Sequence, residues 1–345
     1  MLFLQAMQEN ANKLHNILFS GTKNIVITTH RSPDGDAMGS SLAVYNFLDQ
    51  LNHNVNVIVP NDYPKFLKWL PSDEYVIIYE DNKDYSDELV NNADIVFLLD
   101  FGNIYRIQPF SNTIKSSKAK KILIDHHEDP DEDIADIVFS YPNACATAEV
   151  VYEIIDTMNL NKYINKQIAE CLYVGIMTDT GSFKYPSTTS RTHQIISKLI
   201  DSGAENSKIH DLIYDCLSSD RMKLLGYCLN EKLILIEENN SAIISLDSEE
   251  LIRFNFKKGD TEGIVNYALA IENIFFAVFI VEKDGVIKLS LRSKGDFEVD
   301  KIAKKYFDGG GHNNAAGGIS NTTLSETIKK VELITNKYKN EIKKS

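Results

Sequence analysis

Residues 24–42 read NIVITTHRSPDGDAMGSSL and contain one imidazole and two carboxylates directly after a run of β-forming residues. The apolar, β-branched beginning of this stretch predicts a buried strand, and residues 37–51 have the apolar spacing of a helix. His30, Asp34 and Asp36 therefore fall in the connecting loop. In an open α/β sheet, that loop lies at the carboxyl edge of the strands, where ligands bind.

The two acids in this loop have a chemical and a structural interpretation. Asp34 and Asp36 flank Gly35, so in an extended loop both side chains project to the same side, and each could hold one ion of a pair. Residues 33–35, Pro-Asp-Gly, also form a good turn, and Asp36 could instead cap the following helix. The loop by itself leaves both interpretations open.

Composition limits the class of protein. With 345 residues, the chain exceeds the usual size of one domain, so we expect two. Hydrophobic residues make up 43% and charged residues 25%, as in globular proteins with substantial cores. The net charge of −13 argues against electrostatic binding of long duplex DNA or of an anionic membrane. A small phosphate substrate remains compatible with this charge if bound cations supply the positive field.

The cysteines and the apolar segments indicate a soluble cytoplasmic protein. The four cysteines lack CxxC spacing, and we expect them to be reduced and buried: Cys145, Cys171, Cys216 and Cys228. Residues 1–19 lack a basic start and a continuous apolar core, so they predict an amphipathic helix rather than a signal peptide. The longest apolar run, residues 274–281, is too short to span a membrane.

Strand and helix patterns alternate along the first part of the chain. This alternation predicts an α/β fold with a doubly wound, mostly parallel sheet domain, joined by a helical connector to a smaller mixed α/β domain. The predicted boundaries are residues 1–205, 206–230 and 231–345. In the second domain, Asp284-Gly285 between two β-rich runs predicts a hairpin. The strands predicted in the first domain are residues 24–29, 55–59, 75–79, 94–99 and 121–124.

Further acids and imidazoles close other apolar segments. Asp100 ends ADIVFLLD, residues 125–127 (DHH) end KKILIDHH, and Asp179 ends CLYVGIMTD. A buried acid is costly unless something compensates its charge, so three such segments favour a shared cation. Any one acid alone could be a helix cap or an edge residue in water. Together with the loop of residues 30–36, they predict one multi-residue site.

The donors predict two metal ions. His126 and His127 should point to opposite sides of an extended chain, one towards metal and one towards substrate, with Asp125 orienting an imidazole. Mixed imidazole and carboxylate donors favour Mn²⁺, with Mg²⁺ or Co²⁺ as alternatives. Two such ions about 4 Å apart would share a bridging hydroxide and polarise a phosphoryl oxygen, which predicts phosphoester hydrolysis. Two divalent cations would cancel the four negative charges of Asp34, Asp36, Asp100 and Asp179.

The motifs HRSPDGD (30–36), DHH (125–127) and TDTGSF (178–183), with the site at Asp100, resemble the DHH phosphoesterase superfamily. This group contains RecJ-type nucleases, family II pyrophosphatases and nanoRNase/pAp phosphatases. The resemblance implies that Asp100 bridges the metals, and that His127 contacts the phosphate or protonates the leaving oxygen. It implies one metal on His30, Asp34 and Asp100, and another on Asp36, Asp100, His126 and Asp179.

The second domain carries YFDGGGHNNAAGG (306–318). Its three adjacent glycines would permit positive φ and let N–H groups approach an anion, although a flexible loop is the alternative. With SLRSKG (290–295), it resembles the DHH-associated domain of nanoRNase/pAp phosphatases. Relatives often carry another glycine at Asp308. The substrate-binding residues implied by the resemblance are Arg292, Gly309, Gly310, Gly311 and His312.

We therefore predict a two-metal phosphoesterase with its active site between the domains. Its expected substrates are very short oligoribonucleotides or 3′-phosphoadenosine 5′-phosphate (pAp), since no basic groove interleaved with aromatic residues is visible for long nucleic acid. The alternatives are a phosphodiesterase for cyclic or linear dinucleotides, a polyphosphate or pyrophosphate hydrolase, and a non-catalytic nucleotide sensor. A homodimer also remains open.

Overall fold

The computed structural model describes residues 2–128 and 130–343. The chain forms two compact units, Met1–Cys216 and Leu217–Ser345. Each unit is built on a six-stranded sheet, parallel in the first and mixed in the second. The predicted fold class, two α/β domains with a mostly parallel sheet in the first, is confirmed. The boundary between the units falls within the predicted connector, residues 206–230.

The strands of the first sheet all run in the same direction, in the order β3-β2-β1-β4-β5-β6. The chain adds β2 and β3 on one side of β1 and then returns to add β4 on the other, so the order reverses between β1 and β4. The strands are β1 (Asn24–Thr29), β2 (Asn54–Val59), β3 (Val76–Ile78), β4 (Ile95–Leu99), β5 (Lys120–Asp125) and β6 (Ile137–Ser140).

Eight helices belong to the described part of the first unit: α1 (Leu2–Leu18), α2 (Gly35–Gln50), α3 (Lys83–Asn91), α4 (Ser111–Ser116), α5 (Thr147–Thr157), α6 (Lys166–Asp179), α7 (Ser190–Asp201) and α8 (Asn206–Ile213). Alternate strand residues point to opposite faces of the sheet. Ile27 and Phe97 pack on one face with α1, α2, α5 and α6. Val26 and Val96 pack on the other with α3 and α4. The sheet is therefore doubly wound.

Glycines allow α2 and α6 to touch backbone to backbone. A Cβ on Gly39 would lie 2.5 Å from the carbonyl oxygen of Cys171 and 2.8 Å from the amide nitrogen of Gly175. A Cβ on Gly35 would overlap the side chain of Thr178. The beginning of α2 therefore lies directly beside the end of α6, where Asp179 is found.

The second unit has a sheet in the order β11-β12-β10-β9-β8-β7, antiparallel except between β8 and β9. The predicted hairpin at Asp284-Gly285 is confirmed, and both residues have the positive φ of a tight hairpin turn. The strands are β7 (Leu233–Ile236), β8 (Ser241–Leu246), β9 (Phe276–Lys283), β10 (Val286–Ser293), β11 (Gly310–His312) and β12 (Ala315–Ser320). The helices are α9 (Ser219–Tyr227), α10 (Ser248–Arg253), α11 (Ile264–Leu269), α12 (Val299–Tyr306), α13 (Leu324–Lys337) and α14 (Lys339–Ile342).

One expectation about the cysteines is wrong. All four are free thiols, and three are buried, but Cys216 is exposed. It follows α8 in the chain and is the last residue of the first unit, beyond the cores in which the others lie. Among the described residues, no helix has the length and apolar character needed to cross a membrane.

We expect Gly39→Ala to lower the free energy of unfolding of the first unit by about 1–3 kcal/mol, because the new methyl group meets fixed backbone atoms of α6. Urea unfolding monitored by circular dichroism measures this change. The matched control is Gly226→Ala in α9, where a Cβ meets no atom within 4 Å. Better helix propensity should make that control neutral or stabilising by up to about 1 kcal/mol. Equal effects of the two substitutions would contradict the role of Gly39.

Candidate metal centre

Three predicted site residues lie at the ends of neighbouring strands of the first sheet. His30 follows β1, Asp100 follows β4, and Asp125 is the last residue of β5. Thr29 pairs with Leu99, so β1 and β4 end at the same level. The strand order reverses between these two strands, and in open α/β sheets such a reversal forms a crevice where ligands bind.

The beginning of α2 supplies the two acids of the first motif. Asp34 is the N-cap of this helix, and its Oδ1 accepts hydrogen bonds from the backbone N–H groups of Asp36 and Ala37, both at 3.1 Å. Its Oδ2 lies 3.8 Å from His30 Nε2. The structural alternative therefore applies to Asp34 rather than to Asp36. One oxygen of Asp34 caps the helix while the other faces His30.

Asp36 is held by the N-terminus of α5. Its carboxylate accepts hydrogen bonds from the backbone N–H groups of Thr147, at 2.6 Å, and Ala148, at 2.9 Å. The Thr147 hydroxyl also donates to Asp100 Oδ1 at 2.9 Å. Thr147 thus fixes Asp36 relative to Asp100. The sequence analysis missed this residue, although free N–H groups at a helix start are a known anchor for carboxylates.

The six residues predicted as metal ligands lie in one cluster. His30 Nε2 is 3.5 Å from Asp100 Oδ2, and His126 Nε2 is 3.4 Å from Asp179 Oδ2 and 4.0 Å from Asp36 Oδ2. Asp100 and His126 each belong to two groups, so neighbouring groups share a side chain. The groups whose donor atoms lie within 4.8 Å of one another are His30, Asp34 and Asp100; Asp36, His126 and Asp179; and Asp100, His126 and His127.

The two histidines of the DHH motif lie on the same side of the chain. Their ring centroids are 4.7 Å apart, and both imidazoles can reach a common point with Asp100. The expectation that they point to opposite sides is wrong, because β5 ends at Asp125 and the extended-strand geometry does not continue. His127 Nδ1 donates to Asp125 Oδ1 at 2.7 Å, so this buried acid orients its imidazole.

Burial and crowded charge perturb the titration of these groups. Burial raises the pKa of Asp36 well above its ordinary value, and the nearby carboxylates of Asp100 and Asp179 raise it further. Burial also raises the pKa of Asp179 well above its ordinary value. For Asp100, burial acts in the same direction, but the neighbouring imidazoles outweigh it and hold the pKa below its ordinary value. Burial lowers the pKa of His30, yet Asp100 and Asp34 reverse this and leave it raised.

These residues fit divalent cations. Carboxylate oxygens and imidazole nitrogens converge on common points, as metal ligands do. Bound cations would also relieve the repulsion among the negatively charged acids. Asp179 adds a second argument. It is the last residue of α6, where the negative end of the helix dipole disfavours a carboxylate unless positive charge is nearby. The assignment of individual ligands stays a prediction.

In the second unit, Arg292 and His312 lie in one row across three antiparallel strands. Arg292 of β10 and His312 of β11 both pair with Ala315 of β12. Side chains directly opposite in register project from the same face of a sheet. Arg292 is half-buried, and its Nη1 donates to the carbonyl oxygen of Leu291 at 3.0 Å, while His312 is exposed. Their role in binding substrate stays a prediction.

The glycine-rich segment differs from the expected loop. Gly310 and Gly311 belong to β11, and of the three glycines only Gly311 has a positive φ, +150°. A Cβ on Gly311 would lie 2.5 Å from the carbonyl oxygen of Ala315, and one on Gly309 would overlap β12. Gly309 and Gly311 thus allow this segment to lie close to β12. Asp308 has a φ of +43°, and its carboxylate accepts a hydrogen bond from the Asn321 amide at 3.1 Å.

We expect Thr147→Val to weaken Mn²⁺ binding by roughly tenfold or more, because it removes the hydroxyl that holds Asp100 but keeps the N–H groups that hold Asp36. Isothermal titration calorimetry measures the affinity. Thr147→Ser is the matched control, since it retains the hydroxyl and should bind close to wild type. Equal Mn²⁺ affinity of the Val and Ser variants would contradict this role.

Both units match family models in the order of the chain. Residues 24–176 match the model described as DHH family, N-terminal domain. Residues 239–344 match the DHHA1 domain. The first match contains the strands β1, β4 and β5 and every residue of the candidate metal centre except Asp179, which lies three positions beyond its end. The second contains the row of Arg292 and His312.

Named relatives align along most of the chain. The bifunctional oligoribonuclease and PAP phosphatase NrnA of Bacillus subtilis is 29% identical over 295 residues, covering 85% of this chain and 88% of the relative. The probable bifunctional oligoribonuclease and PAP phosphatase NrnA of Streptococcus mutans is 30% identical over 300 residues, covering 86% and 89%. The crystal structure of an exopolyphosphatase-related protein from Bacteroides fragilis superposes with a TM-score of 0.94 at 41% identity, covering 97% and 98%. This chain therefore belongs to the DHH family of phosphoesterases and is a hydrolase.

Proposed function

We propose that this chain hydrolyses the phosphoester bonds of very short oligoribonucleotides and of pAp. The observation that carries the proposal is the cluster of seven donor residues, the six predicted ligands and His127, in which Asp100 and His126 are each shared between two groups. The relatives from Bacillus subtilis and Streptococcus mutans, both named as oligoribonuclease and PAP phosphatase, support this choice of substrate.

In this proposal, two divalent cations, with Mn²⁺ the expected ion, occupy the first unit. His30, Asp34 and Asp100 would hold one, and the other would be held by Asp36, Asp100, His126 and Asp179. Such cations polarise the phosphoryl group and lower the pKa of an attacking water. The protein orients the donors through the N-termini of α2 and α5, which hold Asp34 and Asp36.

His127 is the proposed proton donor of the reaction. Its Nδ1 donates to Asp125, and its Nε2 is the atom that we propose contacts the phosphate or protonates the leaving oxygen. The Asp125 carboxylate would stabilise the protonated imidazole and fix its orientation. The His127 side chain is 21% exposed, so it remains accessible to a substrate arriving from solvent.

Arg292 and His312 are the proposed ligands of a terminal phosphate. Strands β10 and β11 flank β12 and are about 9–10 Å apart, and Ala315 of β12, which has a small side chain, pairs with both Arg292 and His312. This spacing leaves room for a phosphate, to which a guanidinium can bind in bidentate fashion. Binding one end of the substrate in this way favours molecules of a few nucleotides.

A substrate panel tests the proposed function. Diribonucleotide, pAp, a cyclic dinucleotide and pyrophosphate are assayed side by side with Mn²⁺, and we expect turnover of the first two. Asp100→Ala should reduce that turnover at least about a thousandfold, since Asp100 belongs to two donor groups. Glu205→Ala, which removes an exposed acid paired with Lys166, is the control and should match wild type. Turnover confined to pyrophosphate, or an active Asp100→Ala variant, would overturn the proposal.

We expect Arg292→Ala to raise KM for pAp about tenfold or more while changing kcat less, because phosphate binding there is remote from the bond that is cleaved. Steady-state kinetics separates the two constants. Arg292→Lys should give an intermediate KM, since lysine keeps the charge but loses bidentate geometry. An unchanged KM in the alanine variant would rule out this role.

A further inference from the structure

The segment that follows α6 forms an unusual turn beside the metal centre. Gly181, Ser182 and Phe183 have consecutive positive φ values of +57°, +61° and +66°. Two of these residues are not glycine, and for them the left-handed conformation is unfavourable. Such a conformation persists only where surrounding contacts enforce it, and strain of this kind concentrates at functional sites.

Contacts around Thr180 hold this turn in place. The Thr180 carbonyl oxygen accepts hydrogen bonds from the N–H groups of Lys184, at 2.9 Å, and Tyr185, at 3.0 Å. The Thr180 hydroxyl accepts the N–H of Phe183 at 3.0 Å. The Phe183 ring packs edge to face against Tyr173, with centroids 5.9 Å apart. These contacts stabilise the turn in this conformation.

This turn carries Tyr185 with its ring lying on Gly181. A Cβ on Gly181 would lie 2.7, 2.8 and 3.0 Å from Cζ, Cε2 and Cε1 of Tyr185. Because these adjacent ring atoms are almost equidistant, the ring presents its face rather than its edge to the glycine. A side chain at position 181 would displace the ring. Tyr185 is nevertheless 41% exposed, so much of the ring remains accessible to solvent.

The ring lies close to the candidate metal centre along the chain. Gly181 is two residues beyond Asp179, which limits the distance between their Cα atoms to about 7.6 Å. The ring of Tyr185 is in contact with Gly181 itself. The base of a nucleotide whose phosphate lies at Asp179 would therefore be within reach of the Tyr185 ring.

We propose that Tyr185 is the platform on which a nucleobase of the substrate stacks. This inference rests on the proposed function and adds a base-binding site to it. Stacking on an aromatic ring tolerates any base, because every base has a π-face. The site would thus select nucleotides over simple phosphate esters without selecting a sequence. The prepositioned ring needs no ordering when substrate binds, which favours affinity.

The test compares substrates with and without a base. The enzyme with Mn²⁺ is assayed on 5′-phosphorylated diadenylate and on its two analogues that each lack one adenine. We expect wild type to show a KM at least about tenfold higher for one analogue than for the complete dinucleotide. For Tyr185→Ala and Tyr185→Leu, we expect the KM for the complete dinucleotide to rise to the value that wild type shows for that analogue. These variants should then have the same KM for the complete dinucleotide and for that analogue. The leucine variant retains apolar packing on Gly181 but has no π-face.

Two variants serve as controls. Tyr185→Phe keeps the ring and should retain wild-type KM. Phe19→Ala removes another exposed aromatic side chain, 49% exposed and located before β1, at the opposite edge of the sheet from His30. It should also match wild type. Wild-type KM in Tyr185→Leu, or a similar loss in Phe19→Ala, would overturn the inference.

Failure of the proposed function gives a different result. If wild type hydrolyses neither the complete dinucleotide nor its two analogues, the proposed function is wrong. Tyr185 is then tested by measuring the binding of adenosine 5′-monophosphate by calorimetry. Weaker binding to Tyr185→Leu than to wild type and Tyr185→Phe would support the platform. Equal binding to all three would exclude it.

Discussion

Repulsion among buried carboxylates at one edge of the first sheet is the constraint around which that unit is built. Asp36 and Asp100 are almost fully buried, and the Asp100 carboxylate is close enough to raise the pKa of Asp36. Partial positive charge surrounds them. The N-terminus of α2 receives Asp34, the N-terminus of α5 receives Asp36, and imidazoles contact Asp100. These contacts orient the oxygens but leave an excess of negative charge, which fits a cation-binding site.

The helices that carry Asp36 and Asp179 meet because small residues lie where they touch. Gly39 and Gly175 bring α2 and α6 into backbone contact, so that Asp36 at the start of one helix lies near Asp179 at the end of the other. A Cβ on Gly175 would itself lie 2.8 Å from Asp36 Oδ1. Stability and ligand geometry therefore depend on the same helix contact. The turn that presents Tyr185 continues directly from α6, which links the proposed base platform to the same packing.

Most elements could be predicted from local pattern, and the omissions have physical reasons. The predicted bounds of β1, residues 24–29, agree with the structure. Strand β6 is only four residues long and follows an acidic segment, so its pattern is too short to recognise. Helix α13 was not predicted although a signal exists: Thr323 and Glu326 form a capping box at its start. The pairing of β11 with β12 was also missed, because its glycines have no side-chain alternation.

The sequence by itself determined which residues carry the chemistry and roughly where each strand and helix lies, since periodicity, caps and turns are properties of neighbouring residues. Only the tertiary structure decided how those residues meet. It assigned the helix cap to Asp34, turned both DHH imidazoles to one side, and revealed Thr147, which holds Asp36 from 111 positions away. Hydrogen bonds between such distant segments depend on how strands and helices pack in three dimensions, and no local pattern encodes that packing.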